Sequence, residues 1–206
     1  GTRSPEDYPL TPTNPYSATK AGADLMVQAY MKTHRVPALI VRSSNNFGSY
    51  QYPEKLHGLV ITNLLEGIKI PVHGNGEHLR SWLHVQDFCA ALDLIMHKAE
   101  DFKIYNISGE EKSNIEVIKA IAGILDKDYS QHVEFVNDRL GPDLRYAPDH
   151  SLIEKELGWK RKYTYADSLK EVIDWYAKNR PWWQKIKKNT DFLEHYEKQR
   201  KGIYDL

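Results

Sequence analysis

The sequence has a single cysteine, no surplus of charge, no apolar run of membrane length and no glycine-rich phosphate loop, and each lack excludes something. Cys89 cannot form an intrachain disulfide, which fits a reducing compartment; it lies among Ala90, Ala91, Leu94 and Ile95 at helical spacing and reads as a core thiol. Lys plus Arg and Asp plus Glu are both 28, so no global field draws the chain toward nucleic acid or an anionic membrane, and any anionic ligand must be held by local groups. Nothing approaches the roughly 20 apolar residues of a membrane span, and the start Gly1–Asp7 lacks a signal peptide's hydrophobic stretch, so a cytoplasmic location is expected. The nine histidines fall at no metal-ligand spacing, so no metal is expected. Nowhere does a strand-like run lead into a Gly-x-Gly-x-x-Gly turn, so the chain is expected to be the latter part of a longer polypeptide. Its 206 residues, 41% of them hydrophobic, suffice for a core of one domain or somewhat more.

What is present centres on Asn14-Pro15-Tyr16-Ser17-Ala18-Thr19-Lys20. Pro15 suits the first helical position and Asn14 an N-cap, so Tyr16 and Lys20 share one face, a turn apart. An ammonium near a phenol favours the phenolate, which suits Tyr16 to take a proton from an alcohol as its hydride leaves. A Tyr-x-x-x-Lys match also arises by chance, and by itself it is weak. Ala18, Ala21, Leu25, Met26, Ala29 and Tyr30 form an apolar stripe read as a core face.

Val36–Arg42 is a nearly continuous apolar run, as for a parallel strand covered on both faces, and helix followed by buried strand is half of a doubly wound α/β unit. Ligands sit at the carboxyl ends of such strands, where Ser43-Ser44-Asn45-Asn46-Phe47-Gly48 follows; the plain alternative is an Asn-rich turn. A helix over 56–67, a strand over 68–73 and a Gly74-Asn75-Gly76 reversal come next, then Arg80 at the start of a strand, which by itself reads as a solvated strand residue. Asp87 is read as the cap of an amphipathic helix, Ile104–Ile107 as a strand, Ser113 or Asn114 as the cap of a helix through Leu125, and Val133–Val136 as a strand. Arg139 and Arg145 flank a Gly-Pro turn, as a diphosphate clamp or a surface loop with compensating acids. Helices from Ser151 and Thr164 follow. The tail from Pro181 pairs Trp182 and Trp183 with a charged helix, read as packed aromatics and a solvated face rather than a contact for RNA or membrane.

Several of these stretches resemble one family. Thr11–Ala21 resembles the start of the catalytic helix in the nucleotide-sugar branch of the extended short-chain dehydrogenase/reductases. Ser44-Asn45-Asn46-Phe47-Gly48-Ser49-Tyr50 with Pro53-Glu54-Lys55-Leu56 looks like the corresponding pair of motifs in the dTDP-glucose 4,6-dehydratases, and Gly74–Val85 and Leu157-Gly158-Trp159 continue the likeness, which runs from about Thr11 to Trp182. Two departures stand out: His73 where a tyrosine is usual, and Leu140 and Pro142 within the family's Asp-Arg-Pro-Gly-His-Asp pattern.

The resemblance implies an α/β fold: the latter part of a Rossmann-type doubly wound parallel sheet plus a smaller α/β substrate-binding domain. Its expected parts are residues 1–44 ending the NAD-binding domain, 45–86 mainly binding substrate, 87–109 returning to the NAD-binding sheet, 110–182 the substrate domain and 183–206 a helical tail. It implies Tyr16 and Lys20 as the catalytic pair, both at the cofactor NAD together with Asn45, and a nucleoside-diphosphate sugar held by Asn46, Lys55, Leu56, Pro71, Val72, His73, Arg80, Asn106, Arg139 and Asp143. The implied reaction is dehydration of dTDP-glucose: Tyr16 takes the C4 hydroxyl proton as NAD accepts the hydride, water leaves from C5 and C6, and the hydride returns to C6. The family's elimination acid and base belong to a Thr-Asp-Glu stretch that this sequence does not contain, so the chain by itself is expected to be inert. A homodimer is implied as well. Two alternatives stay open: a UDP-sugar epimerase or decarboxylase of the same family, and a non-catalytic nucleotide-sugar-binding module.

Overall fold

In the computed structural model, which describes residues 2–138 and 141–201, the chain is mixed α/β and divides into two compact units. The first comprises Gly1–Asn46, Arg80–Glu111 and Leu140–Tyr163; the second comprises Phe47–Leu79, Lys112–Arg139 and Thr164–Leu206.

The first unit opens with an irregular lead-in and helix α1, Pro15–His34. Asn14 caps α1 as expected, its side-chain oxygen accepting from the Ser17 N–H at 2.9 Å and satisfying one of the first-turn donors that have no partner within the helix. Strand β1, Ile40–Ser43, pairs in parallel with β5, Ile104–Ile107, with Arg42 opposite Asn106. A second sheet has the order β2-β4-β6, formed by Asn45–Phe47, Leu79–His84 and Glu110–Ser113, with β8, Arg145–Tyr146, against β4. Helices α3, Val85–Lys98, and α5, Ser151–Leu157, supply the rest of this unit. Its core joins Leu83, Ala91, Ile95, Tyr105, Ile107, Ile153 and Trp159, with Val41 packed against it. These are the inward positions of strands at period two and of helices at three to four.

The second unit pairs β3, Ile70–His73, in parallel with β7, Val133–Val136, beside α2, Leu56–Glu66, α4, Asn114–Ile124, and α6, Tyr165–Lys178. Gly74 and Gly76 turn the chain after β3 with φ of 58° and 76°, the left-handed region open to glycine without a Cβ penalty. A capping box begins α4: the Ser113 hydroxyl accepts from the Glu116 N–H while the Glu116 carboxylate accepts from the Ser113 N–H. The tail forms α7, Arg180–Lys187, and α8, Thr190–Lys201. Trp183 is fully buried and its indole N–H donates to the Tyr176 carbonyl at 2.8 Å, as the packed-aromatic reading requires.

Four local expectations are corrected. The apolar stripe of α1 is not a core face in its unit: of the helix only Met31 is buried, whereas Leu25, Met26 and Tyr30 are more than half exposed. Helical period reveals that a face is apolar, not what covers it. Cys89 is exposed, because the buried side of α3 runs through Ala91 and Ile95 instead. Asp87 does not cap α3; His84 is the capping residue, and Asp87, buried within the first turn, accepts backbone N–H bonds from Lys162 and Tyr163 at 2.9 and 3.1 Å. β1 is half-buried over its length rather than covered on both faces. Asn45 and Asn46 lie in a strand, which sets aside the plain alternative of an Asn-rich turn.

Candidate active site

The start of α1 is fixed from outside the helix. Thr13 donates to the Asp143 carboxylate at 3.1 Å and the Asn14 amide reaches the Gly141 carbonyl at 3.5 Å, so the loop before β8 holds the residues that launch the helix. Tyr16 then stands in the first turn with 74% of its surface exposed, and Lys20 follows one turn later, also exposed. Close by, the Tyr146 hydroxyl donates to the Ser43 carbonyl at 3.4 Å. Burial pushes the Tyr146 phenol up, against the pull of Arg42 and with help from Tyr16 and Asp143, which places all four groups in one electrostatic neighbourhood.

Asn45 and Asn46 begin β2, where successive side chains leave opposite faces. Asn45 is exposed, and the Asn46 amide donates to the Ser43 hydroxyl at 3.1 Å. Arg80 is half-buried in β4, next to the fully buried Ser81. Asn106 is 3% exposed: its amide donates to the Ser4 carbonyl at 3.1 Å and its backbone N–H to Glu6 at 2.8 Å, so its donors serve the lead-in. Burial in turn pushes the Glu6 carboxyl up. Thus Tyr16, Lys20, Asn45, Asn46, Arg80, Asn106 and Asp143 all belong to the first unit.

The other expected ligands belong to the second unit. Lys55 precedes α2 and pairs with Glu54 at 2.5 Å, with Leu56 half-buried beside it. Pro71 and Val72 are buried in β3, and His73 is half-buried at its end, its Nδ1 3.5 Å from the Asn137 carbonyl. Arg139 lies outside the described residues. Arg145 meets a compensating acid: its guanidinium forks onto both oxygens of Glu111 at 2.8 and 3.0 Å, which holds that carboxyl below the usual range.

One pair escaped the sequence reading. Arg42 in β1 grips both carboxylate oxygens of Asp24 in α1, at 2.7 and 3.1 Å. The sequence signals only that a charge in an apolar strand demands a partner; that the partner is Asp24, on the preceding helix, is set by the fold.

The groups present suit the nicotinamide end of a dinucleotide, with a phenol, an ammonium and an amide turned to solvent in one unit; a glycine loop for its diphosphate is not found in the sequence. Among the described residues, no cluster of His, Cys, Asp and Glu could hold a metal ion, and no helix is long and apolar enough to cross a membrane.

A family profile described as GDP-mannose 4,6 dehydratase matches residues 2–172. A dTDP-glucose 4,6-dehydratase of Escherichia coli is 40% identical over 192 residues, 88% of this chain and 53% of that protein. The crystal structure of a dTDP-glucose 4,6-dehydratase from Bacillus anthracis in complex with NAD superposes with a TM-score of 0.86 at 44% identity, over 90% of this chain and 59% of that one. The enzyme of the same description from Streptomyces venezuelae, with NAD and TYD bound, gives 0.87 at 40% identity, over 90% and 58%. The fold is therefore the Rossmann-like one of these structures, and the chain spans about half the length of the curated relatives it matches.

Proposed function

Because the chain belongs to the GDP-mannose 4,6 dehydratase family, we propose that the protein containing it dehydrates a nucleoside-diphosphate hexose, dTDP-glucose, with NAD as cofactor. The observation that carries this reading is the first turn of α1, where Tyr16 and Lys20 face solvent a helical turn apart on a start pinned by Asp143 and Gly141. NAD, when bound, supplies the hydride acceptor. Lys20 stabilises the phenolate of Tyr16, which takes the proton of the sugar's C4 hydroxyl and becomes the neutral phenol, and the same ammonium would hold the nicotinamide ribose. Asn45 and Asn46, leaving opposite faces of β2, serve cofactor and sugar respectively. Arg80 meets the diphosphate with its planar fork, helped by Arg139, while Asp143, Lys55, Leu56, Pro71, Val72 and His73 line the rest of the sugar nucleotide. Asn106 contributes through its carbonyl oxygen or by shaping the strand end, since its amide donor is engaged with Ser4. The residues of the NAD-binding part are 1–44 and 87–109, and those of the substrate part 45–86 and 110–182, with 183–206 a helical tail. The protein is cytoplasmic and works as a homodimer.

The test uses the complete polypeptide with dTDP-glucose, NAD and an alkaline ultraviolet assay for the 4-keto product. Turnover that falls by about a hundredfold or more in Tyr16→Phe, with sugar-nucleotide binding retained, supports the reading. Equal turnover in Tyr16→Phe overturns it. His73, in place of the family's usual tyrosine, favours a second reading, action on a different base such as a UDP-sugar. Product analysis with UDP-glucose beside dTDP-glucose separates the two.

A further inference from the structure

Lys20 stands between two groups that compete for its ammonium. Tyr16 lies four residues before it and Asp24 four residues after, so phenol and carboxylate are each within side-chain reach along one helix, about 6 Å of axis away. A free aspartate there would win, because an ammonium pairs more strongly with a carboxylate than with a neutral phenol. In the structure Asp24 is not free. Arg42 Nε donates to its Oδ2 at 2.7 Å and Nη2 to its Oδ1 at 3.1 Å, and Gln28 donates to Oδ1 at 2.5 Å. The remaining arm of Arg42, Nη1, donates to the Glu6 carbonyl at 2.6 Å, which engages the third side of the guanidinium. The two side chains are only 17% and 11% exposed, so solvent does little to loosen them. Among the described residues, no acid stands within ion-pair distance of Lys20.

We propose that Arg42 is a positioning residue which, by occupying both oxygens of Asp24, prevents that carboxylate from capturing Lys20 and leaves the ammonium available to Tyr16. The inference rests on the Tyr16–Lys20 reading above for its catalytic meaning, but its physical content, the freedom of one amine, is measurable without turnover. It also explains why an arginine follows Ile40 and Val41 in β1. A lysine there would neutralise charge without gripping two oxygens at once.

The experiment compares the complete wild-type polypeptide with Arg42→Met, Asp24→Asn and the double variant Arg42→Met/Asp24→Asn. Lys20 acetylation by acetic anhydride is measured by mass spectrometry relative to Lys32 on the same helix, alongside kcat, KM and Tm. In Arg42→Met the released Asp24 pairs with Lys20: its relative labelling falls by about threefold and kcat by about tenfold or more, with KM little changed. In the double variant labelling and kcat recover to within about threefold of wild type although Tm stays low, because asparagine carries no charge to capture the amine. Should Arg42→Met fail to fold, Asp24→Asn alone decides: it retains labelling and kcat despite a lower Tm. The inference is overturned if labelling of Lys20 does not change in Arg42→Met, or if kcat follows Tm through the series, which marks Arg42 as a structural anchor only. A wild type that labels as expected but turns nothing over sinks the dehydratase reading and leaves this one standing.

Discussion

Gly109, in the short turn between β5 and β6, tests whether the packing around β4 is as close as described. A Cβ on Gly109 would lie 1.7 Å from the Trp82 carbonyl oxygen, 2.3 Å from its carbon and 2.8 Å from the Leu83 Cα. All three are main-chain atoms, so no rotamer change relieves the overlap. For Gly109→Ala the strand must separate from the turn by more than an ångström, and the bond from the Gly109 N–H to the buried Ser81 hydroxyl, 2.8 Å long, is lost with it. Overpacking of this kind costs about 1–3 kcal/mol and a buried donor left unpaired about 1–3 more, so roughly 2–6 kcal/mol in all. At about 2–4 °C per kcal/mol for a chain of this size, the melting temperature followed by circular dichroism should fall by about 4–24 °C. Gly123, within α4, is the internal control: nothing lies within 4 Å of a Cβ there, and Gly123→Ala should stabilise by about 0.5–1 kcal/mol through helix propensity. A Gly109→Ala protein melting within about 2 °C of wild type would refute the packing argument.

Three further outcomes are expected. His57 is fully buried, its ring against Phe47 and its Nε2 3.0 Å from the Tyr165 hydroxyl, and burial pushes its pKa from 6.5 down to about 3. Between those values the unfolded chain binds a proton that the folded one refuses, so stability falls as pH drops below 6.5; from pH 7 to 5 urea unfolding should show wild type losing about 2 kcal/mol more than His57→Gln. Asp87→Ala leaves the Lys162 and Tyr163 N–H groups without their buried acceptor, and chemical denaturation should register a loss of about 2–4 kcal/mol. Ser113→Ala removes the hydroxyl arm of the capping box on α4 and should cost about 1 kcal/mol, while a cost below about 0.3 kcal/mol would mean that the cap contributes little.

The features that were legible from the residues alone are those decided within a few positions of the chain. Asn14 and Pro15 start α1, Ser113, one of two candidate caps, starts α4, Thr164 starts α6, and Gly74 and Gly76 turn the backbone, because each satisfies donors or dihedral limits of its own neighbourhood. The one-turn spacing of Tyr16 and Lys20 is of the same kind: helical pitch places them together wherever the helix lies. What required the tertiary structure was every question of which distant group stands opposite. Leu25, Met26 and Tyr30 are apolar at helical period yet exposed, Cys89 sits on the outer side of α3, and Asp87 serves the backbone at 162–163 instead of its own helix start. Asn106 could be recognised as a strand-end amide, but not as one whose donor is bound to Ser4; nor could Arg42 be assigned to Asp24, since both contacts join segments brought together only by the packing of β1 and β5 against the lead-in and α1. Local sequence thus determined where elements begin, turn and present their chemistry. Burial and the choice of charge partner depend on surfaces far apart in the chain, and only the folded structure could decide them.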